Sequence, residues 1–192
     1  DDVEWALWHG RSVEAPAAQT TLPASFDQRI EGAWVAGMKG MALLRSGDQA
    51  VLLRYGPSLN HGDPDDLGLT YYAEGHQLSY DLGYGLGSTH AHVGWASSTV
   101  SHALVTVNEK NQLAAEGSGG SLHWFAARPH TQAVSVSSEG SYASEGVTTY
   151  RRSVALVDGA YLVDLFQVAG GKQHDFGFGS VGTALEPFGV SS

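Results

Sequence analysis

The sequence predicts an all-β fold, an antiparallel β-sandwich, and two kinds of pattern carry this prediction. Short runs with period-2 or continuous apolar character recur along most of the chain, each bounded by Gly, Pro, Asp or Ser. Connections such as "SGDQ", "EG" and "DG" separate several of these runs and have the length of β-hairpin turns. No stretch carries an apolar stripe at helical spacing. About ten short strands at such intervals are typical of an antiparallel sandwich.

The predicted strands occupy much of the chain after its first 40 residues. In order they are 41–46, 50–55, 67–74, 76–81, 103–108, 122–128, 132–138, 148–157, 160–168 and 173–180. A chain of 192 residues with 42% hydrophobic content can bury a sizeable core, so we treat residues 1–192 as a single domain. The final "TALEPFGVSS" ends without turn punctuation, and we expect the chain to be a portion of something longer.

Composition excludes several classes of function. The chain has no cysteine, which rules out disulfides, cysteine-ligated metals and a cysteine nucleophile. A net charge of −10 with only 10 Lys and Arg argues against a nucleic-acid partner. No apolar run approaches the roughly 20 residues of a membrane span, and the acidic start "DDVEWALWHG" is not a signal peptide. Nine histidines are the candidate source of site chemistry.

The stretch "NHGDPDD" concentrates chemistry in a few positions just before a predicted strand. It contains His61, Asp63, Asp65 and Asp66, with a glycine and a proline that force a bend. Asp and Asn side chains cap bends and tolerate unusual backbone angles, so one interpretation is an exposed turn. Loops at strand ends also present functional groups, so the other interpretation is a site.

A hairpin downstream of this loop favours the second interpretation. The segment "LGLTYYAEGHQLSYD" turns near 74–75, and pairing of its two arms brings Asp65 or Asp66 close to Asp81. If the strand at 103–108 lies alongside, His102 joins them. One imidazole and two or three carboxylates are a suitable ligand set for Zn²⁺, Mn²⁺ or Ca²⁺.

The order of these motifs resembles the C-terminal β-domain of heparinase II/III-type polysaccharide lyases, a family that acts on uronate polymers. That family's pattern runs H-x-H-x-D, a hairpin, D-x-G, W-Y-x-x-T, H-N-T-V and a glutamine. The corresponding segments here are 61–65, 81–83, 95–99, 101–105 and 111–112, followed by "RRSVALVDGAYLVDLFQV". The resemblance covers nearly the whole chain and implies an antiparallel β-sandwich of the super-sandwich type. It also implies an N-terminal α/α-toroid domain, which these 192 residues lack.

The resemblance implies a divalent metal held by Asp63, Asp81 and His102. Zinc is the metal that the family resemblance favours. Asp63 stands where the family has its second histidine, which makes the ligand set harder and opens the site to Mn²⁺ or Ca²⁺. Ala103 replaces the usual asparagine and removes a hydrogen-bonding side chain next to His102.

The resemblance also implies catalytic and substrate-binding residues. His61 corresponds to a histidine of the cleft, Tyr84 and His92 are further candidates for proton transfer, and Trp95 is a candidate for contacting the sugar. The implied reaction is β-elimination on an acidic polysaccharide, in the periplasm or outside a bacterial cell. A helical domain, on the same or a separate chain, would supply the rest of the cleft, so we expect these 192 residues alone to be inactive or nearly so.

Two other functions stay open at this point. The domain could bind carbohydrate without catalysis, with Trp95, Trp124, Tyr71 and Tyr72 as stacking platforms. Alternatively, it could be a structural sandwich whose acidic loop is turn chemistry. Asp164 lies inside an apolar strand, where a buried carboxylate requires a partner, and we expect it to form an ion pair or a hydrogen-bonded cluster.

Overall fold

The computed structural model describes residues 33–36, 40–56, 62–79, 81–83, 89–113 and 119–180. Two antiparallel sheets and a small two-stranded ribbon account for about half of these residues. The strands are β1 (Trp34–Ala36), β2 (Met41–Ser46), β3 (Gln49–Arg54), β4 (Leu69–Ala73), β5 (His76–Ser79), β6 (Val105–Val107), β7 (Ser121–Ala127), β8 (Thr131–Ser137), β9 (Thr149–Val157), β10 (Tyr161–Ala169) and β11 (His174–Phe176).

The first sheet has the strand order β1-β2-β3-β4-β5, with every neighbour antiparallel. Its core face follows from the period-2 alternation of the sequence. In β2, Ala42 and Leu44 are buried, and in β3 Val51 and Leu53 are buried, while the residues between them are partly exposed.

The second sheet has the order β10-β9-β8-β7 and packs on the first through β2, which contacts β8 and β9. Strand β9 alternates strictly between half-buried and buried positions along nine residues. The two sheets enclose one core, which includes Leu44, Val51, Leu53, Tyr55, Val134, Val136, Tyr142, Tyr150, Val154 and Leu156. This arrangement confirms the predicted antiparallel β-sandwich.

Turns with positive φ at both central residues close two of the predicted hairpins. Glu74 and Gly75 join β4 to β5 with φ of 52° and 75°. Asp158 and Gly159, with φ of 53° and 62°, are the central residues of the turn after β9, which the amide of Ala160 closes by donating to the carbonyl of Val157. Positive φ at both central residues is the requirement of a type I′ turn, which matches the twist of the paired strands. The predicted turn at 74–75 is therefore confirmed, and with it the return of β5 toward the acidic loop.

Some elements differ from the predicted pattern. All ten predicted strands are present, but the three-residue β1 was not predicted. One of the ten keeps its predicted bounds, four are shifted by one residue and five are shorter. Strand β6 pairs with β11 rather than with the β4–β5 hairpin. Short helical segments at His92–Ala96, Thr99–Ser101 and Glu139–Glu145 also lack a sequence signature, because each is too brief to show a helical period. Within the described residues, no helix has the length and apolar character to cross a membrane.

Candidate metal centre

The acidic loop, whose described part is residues 62–68, is held against the end of β3 by backbone hydrogen bonds. The amide of Leu67 donates to the carbonyl of Arg54 at 2.8 Å, and the amide of Arg54 donates to the carbonyl of Gly68 at 3.2 Å. The amide of Gly68 donates to the carbonyl of Asp65 at 2.7 Å, and a Cβ at position 68 would lie 2.8 Å from that oxygen. Glycine therefore permits the tight bend that turns the loop into β4.

Asp63, Asp81 and His102 converge at the outer end of this loop. One potential ligand atom from each of the three side chains lies within 4.8 Å of the others. The imidazole Nδ1 of His102 is 3.7 Å from Oδ1 of Asp81. Three segments of the chain supply these groups: the acidic loop, the residues after β5, and the residues before β6. The structure thus brings together the three residues that the sequence predicts as metal ligands.

His102 is buried, with its residue 4% exposed. Burial lowers the pKa of His102, and the carboxylates of Asp81 and Asp63 offset part of this effect. A lowered pKa favours the neutral imidazole, which is the form that binds metals. Its Nε2 is buried and makes no hydrogen bond to the described residues.

Asp81 differs from His102 because its side chain is 41% exposed. Its Oδ1 accepts a 2.7 Å hydrogen bond from the amide of Gly83, which orients the carboxylate toward its own turn. A cavity of about 70 Å³ is lined by Asp81 and His102 together with Arg54 and Asp65. A volume of this size holds small ligands such as water molecules.

Asp65 is committed to an ion pair with Arg54, whose Nη1 donates to Asp65 Oδ1. Burial raises the pKa of Asp65 to about 7, and the guanidinium of Arg54 opposes that shift. The neighbouring carboxylates of Asp81, Asp66 and Asp63 raise it further. This ion pair gives Asp65 a structural role in the loop.

Asp66 anchors the inner end of the loop. Its Oδ2 accepts hydrogen bonds from the hydroxyls of Ser138 and Ser141 at 2.9 and 3.0 Å. The side chain of Gln112 binds the backbone of Asp66 twice, accepting from its amide at 2.7 Å and donating to its carbonyl at 2.8 Å. Gln112 also donates to the hydroxyl of Tyr150 at 3.2 Å. Burial raises the pKa of Asp66.

The geometry of the three converging donors fits a small divalent cation. Bond lengths near 2 Å place the ligands of a tetrahedral zinc ion about 3.3 Å apart. In the structure His102 Nδ1 and Asp81 Oδ1 are 3.7 Å apart, and all three donors lie within 4.8 Å of one another. Two carboxylates balance the charge of a divalent cation, and the adjoining cavity leaves room for further ligands. Asp63, Asp81 and His102 are thus the described residues that could hold the metal.

Of the other predicted site residues, some lie outside the described part of the chain and others are exposed. His61 and Tyr84 lie outside the described residues, as does the side chain of His92. Trp95 lies in the π-helical segment His92–Ala96 and is 53% exposed. Trp124, on β7, is 45% exposed.

Three contributors to the site were not predicted from the sequence. Arg54 carries the charge that faces Asp65, and Ser138 and Ser141 satisfy Asp66. Arg54 could have been found by extending the β3–β4 register, since Leu53 pairs with Leu69. Ser138 and Ser141 lie more than 70 residues from Asp66, and no sequence pattern relates them to it.

Several solved structures are similar to this chain, and the three described below are each much longer than it. A protein described as the heparinase III-BT4657 gene product has a TM-score of 0.63 and 22% identity, and the match covers 80% of this chain and 23% of that one. The heparan sulfate lyase HepC from Pedobacter heparinus has a TM-score of 0.62 and 17% identity, covering 72% and 22%. A structure of heparinase III has a TM-score of 0.60 and 18% identity, covering 73% and 23%.

At these identities the structural similarity shows a shared fold. The chain spans less than a quarter of the length of these proteins. No curated protein sequence matches it. The family model described as heparinase II/III-like, C-terminal, matches residues 31–180. Because that match includes both sheets and the acidic loop, the chain belongs to the heparinase II/III-like C-terminal domain family.

Proposed function

We propose that this chain is the β-domain of a polysaccharide lyase that cleaves uronic-acid-containing polysaccharide by β-elimination. In this proposal it contributes a metal site and one wall of the catalytic cleft. The observation that carries the proposal is the convergence of Asp63, Asp81 and His102 in a chain of this family. These ligands come from three separate segments of the chain, which is the arrangement expected of a binding site rather than of a local turn.

The metal would organise the wall of the cleft. A bound divalent cation would neutralise Asp63 and Asp81, which bring like charges together, and would link their two chain segments to the segment of His102. The family resemblance favours zinc. The two carboxylates also suit Mn²⁺ or Ca²⁺, since oxygen ligands favour harder cations.

The reaction requires two proton transfers at the sugar. A base removes the C5 proton, the electron pair of that C–H bond forms the C4=C5 double bond, and the C4–O bond to the next sugar breaks. The departing oxygen then takes a proton from an acid. We assign these transfers to candidates among His61, Tyr84 and His92, because imidazole and phenol groups serve as general acids and bases. Trp95, which is exposed, would contact the sugar ring.

The remainder of the cleft would come from a helical domain. The uronate carboxylate must be neutralised to make the C5 proton acidic enough, and this chain carries a net charge of −10. An acidic surface repels a polyuronate, so a basic partner domain, in the same or a separate chain, would dominate the cleft. The site of action would be the periplasm or the exterior of a bacterial cell, where such polymers are accessible.

An absorbance assay tests whether the reaction requires the proposed helical domain in addition to this chain. Unsaturated uronate products absorb near 235 nm, and the assay would be run on heparan sulfate, alginate and related polymers. We expect turnover by the 192-residue chain alone to be absent or marginal. Robust turnover by this chain alone would contradict the proposal that it supplies only one wall.

A second candidate function is carbohydrate binding without catalysis, and the exposure of Trp95 and Trp124 favours it. The two residues are 53% and 45% exposed, and a stacking platform for a sugar ring must be exposed. Affinity electrophoresis in neutral glycans discriminates the two functions. Retardation by a neutral glycan, lost in W95A or W124A and seen in protein that contains no metal, would support the second candidate.

A further inference from the structure

Arg152 is a fully buried cation that the proposed reaction does not use. It lies on the core face of β9, with 0% of its side chain exposed. The guanidinium carbon also lies 5.3 Å from the centre of the Phe166 ring. A buried guanidinium is costly unless all its donors are satisfied, so its partners indicate what this position stabilises.

One side of the guanidinium is fixed to the second sheet. Nε donates to Oδ1 of Asp164 at 2.8 Å and Nη2 donates to Oδ2 at 2.6 Å, which is a bidentate pair. Asp164 lies on β10, where its register partner is Val154 of β9. The ion pair that the sequence predicts for Asp164 is therefore present, and it holds the guanidinium plane in one orientation.

The other side of the guanidinium reaches two of the three segments that carry the proposed metal ligands. Nη1 donates to the carbonyl of Leu67 at 2.6 Å, in the loop that begins with Asp63. Nη1 also donates to the carbonyl of Ala103, the residue next to His102. One nitrogen therefore ties the acidic loop to the segment of His102. Asp164, on the neighbouring strand of the same sheet as Arg152, holds the guanidinium plane through the other two nitrogens.

We infer that Arg152 is a positioning residue of the metal centre, and that Asp164 orients it. This inference rests on the proposed metal site at Asp63, Asp81 and His102. Arg152 sets the separation between the acidic loop and His102, so metal affinity depends on a residue that offers no ligand atom. Groups that orient metal ligands change affinity by about 10- to 100-fold when they are altered.

The test compares R152K with V154A in the full 192-residue chain. Lysine keeps the charge but has a single nitrogen, which cannot reproduce the fork to Asp164 together with bonds to two carbonyls. Val154 lies on the same strand and is also buried, but it has no hydrogen-bonding group, so V154A controls for lost stability. The readouts are the Kd for Zn²⁺ and for Mn²⁺ by calorimetry, and the melting temperature of the metal-free protein.

We expect R152K to raise the Kd about tenfold or more, while V154A leaves the Kd within about twofold at a similar loss of melting temperature. Equal Kd values in R152K and wild type, with wild type binding metal, would overturn the inference and leave the metal site intact. A wild-type chain that binds neither metal would overturn the metal site itself, and the inference with it.

A second variant covers the case in which R152K does not fold. D164N removes the charge of the orienting carboxylate while it keeps one oxygen acceptor for Arg152. We expect D164N to raise the Kd for both metals by several-fold, in the same direction as R152K. A Kd for D164N equal to that of wild type would count against positioning of the centre by this pair.

Discussion

The aspartates at the two ends of the acidic loop differ in their exposure and in their partners. At the outer end, half-buried Asp63 converges with Asp81, whose side chain is 41% exposed, and with His102. At the inner end, Asp65 and Asp66 are 5% and 3% exposed and are bound by protein partners. Residues two or three positions apart in one bend therefore serve different purposes.

The difference shows that the turn interpretation and the site interpretation each describe part of the loop. Asp65 and Asp66 determine its shape through Arg54, Gln112 and two serines, which is structural chemistry. Asp63 is presented by that shape to Asp81 and His102. If this account is correct, changes at the inner end alter stability first, and changes at the outer end alter metal binding first.

The largest effect should come from D66A at the inner end. The change removes the buried carboxylate that accepts from Ser138 and Ser141 and leaves their hydroxyls only the hydrogen bond between themselves. We expect the free energy of unfolding to fall by about 3 kcal/mol, in the range for loss of a buried hydrogen-bonded charge. Urea denaturation measures this change, and a loss below about 0.5 kcal/mol would show that Asp66 does not anchor the loop.

The next effect should come from D81A at the outer end. At a metal concentration 100 times the Kd, bound metal stabilises the wild-type fold by about 2.7 kcal/mol. We expect D81A to lose this increment, measured as the rise in melting temperature on adding Zn²⁺ or Mn²⁺. Asp175, an exposed carboxylate on β11, supplies the control D175A, which should keep the full increment. An equal increment in D81A and D175A would refute the site.

A pH titration tests the buried Tyr142, which follows the Ser141 that binds Asp66. Burial raises the pKa of Tyr142 to about 12, and its hydroxyl donates to the carbonyl of Lys110 at 2.9 Å. Because the folded pKa exceeds the unfolded value near 10, this stability is complete below pH 10 and is lost between pH 10 and pH 12. We expect Y142F to lose roughly 2 kcal/mol less than wild type over that interval, measured by urea denaturation. If the free energy of unfolding fell equally in Y142F and wild type between pH 10 and pH 12, this prediction would be wrong.

The smallest effect should come from D63H, which restores the histidine of the family pattern. A second imidazole makes the ligand set softer, so the ratio of Zn²⁺ to Mn²⁺ affinity should rise on the order of tenfold. Competition titrations with the two metals measure this ratio. A ratio unchanged from wild type would indicate that Asp63 is not a ligand, even if Asp81 and His102 are.

Much of the fold could be predicted because its signals are local. Alternation in β3 and β9 set their core faces, and the 74–75 turn fixed the return of β5 toward Asp81. The three-residue β1 escaped prediction because it is too short to show a period, and β6 pairs with β11, which is more than 60 residues away.

The candidate site divides in the same way. The family resemblance predicts Asp63, Asp81 and His102 as the ligand set, whereas the hairpin alone relates Asp65 or Asp66, and not Asp63, to Asp81. The contacts of Arg152 with the carbonyls of Leu67 and Ala103 could not be predicted, since every residue has a carbonyl and none marks its partner. The same holds for Ser138 and Ser141, whose hydroxyls reach Asp66 from a distant segment.

The metal content of the purified chain tests the central claim most directly. Wild type and the double variant D81A/H102A would be equilibrated with Zn²⁺ or Mn²⁺, dialysed extensively and measured by elemental analysis. The account predicts about one equivalent of metal per wild-type chain and essentially none in the double variant. Equal metal content in the two proteins, or none in wild type, would contradict a metal centre at the outer end of the loop.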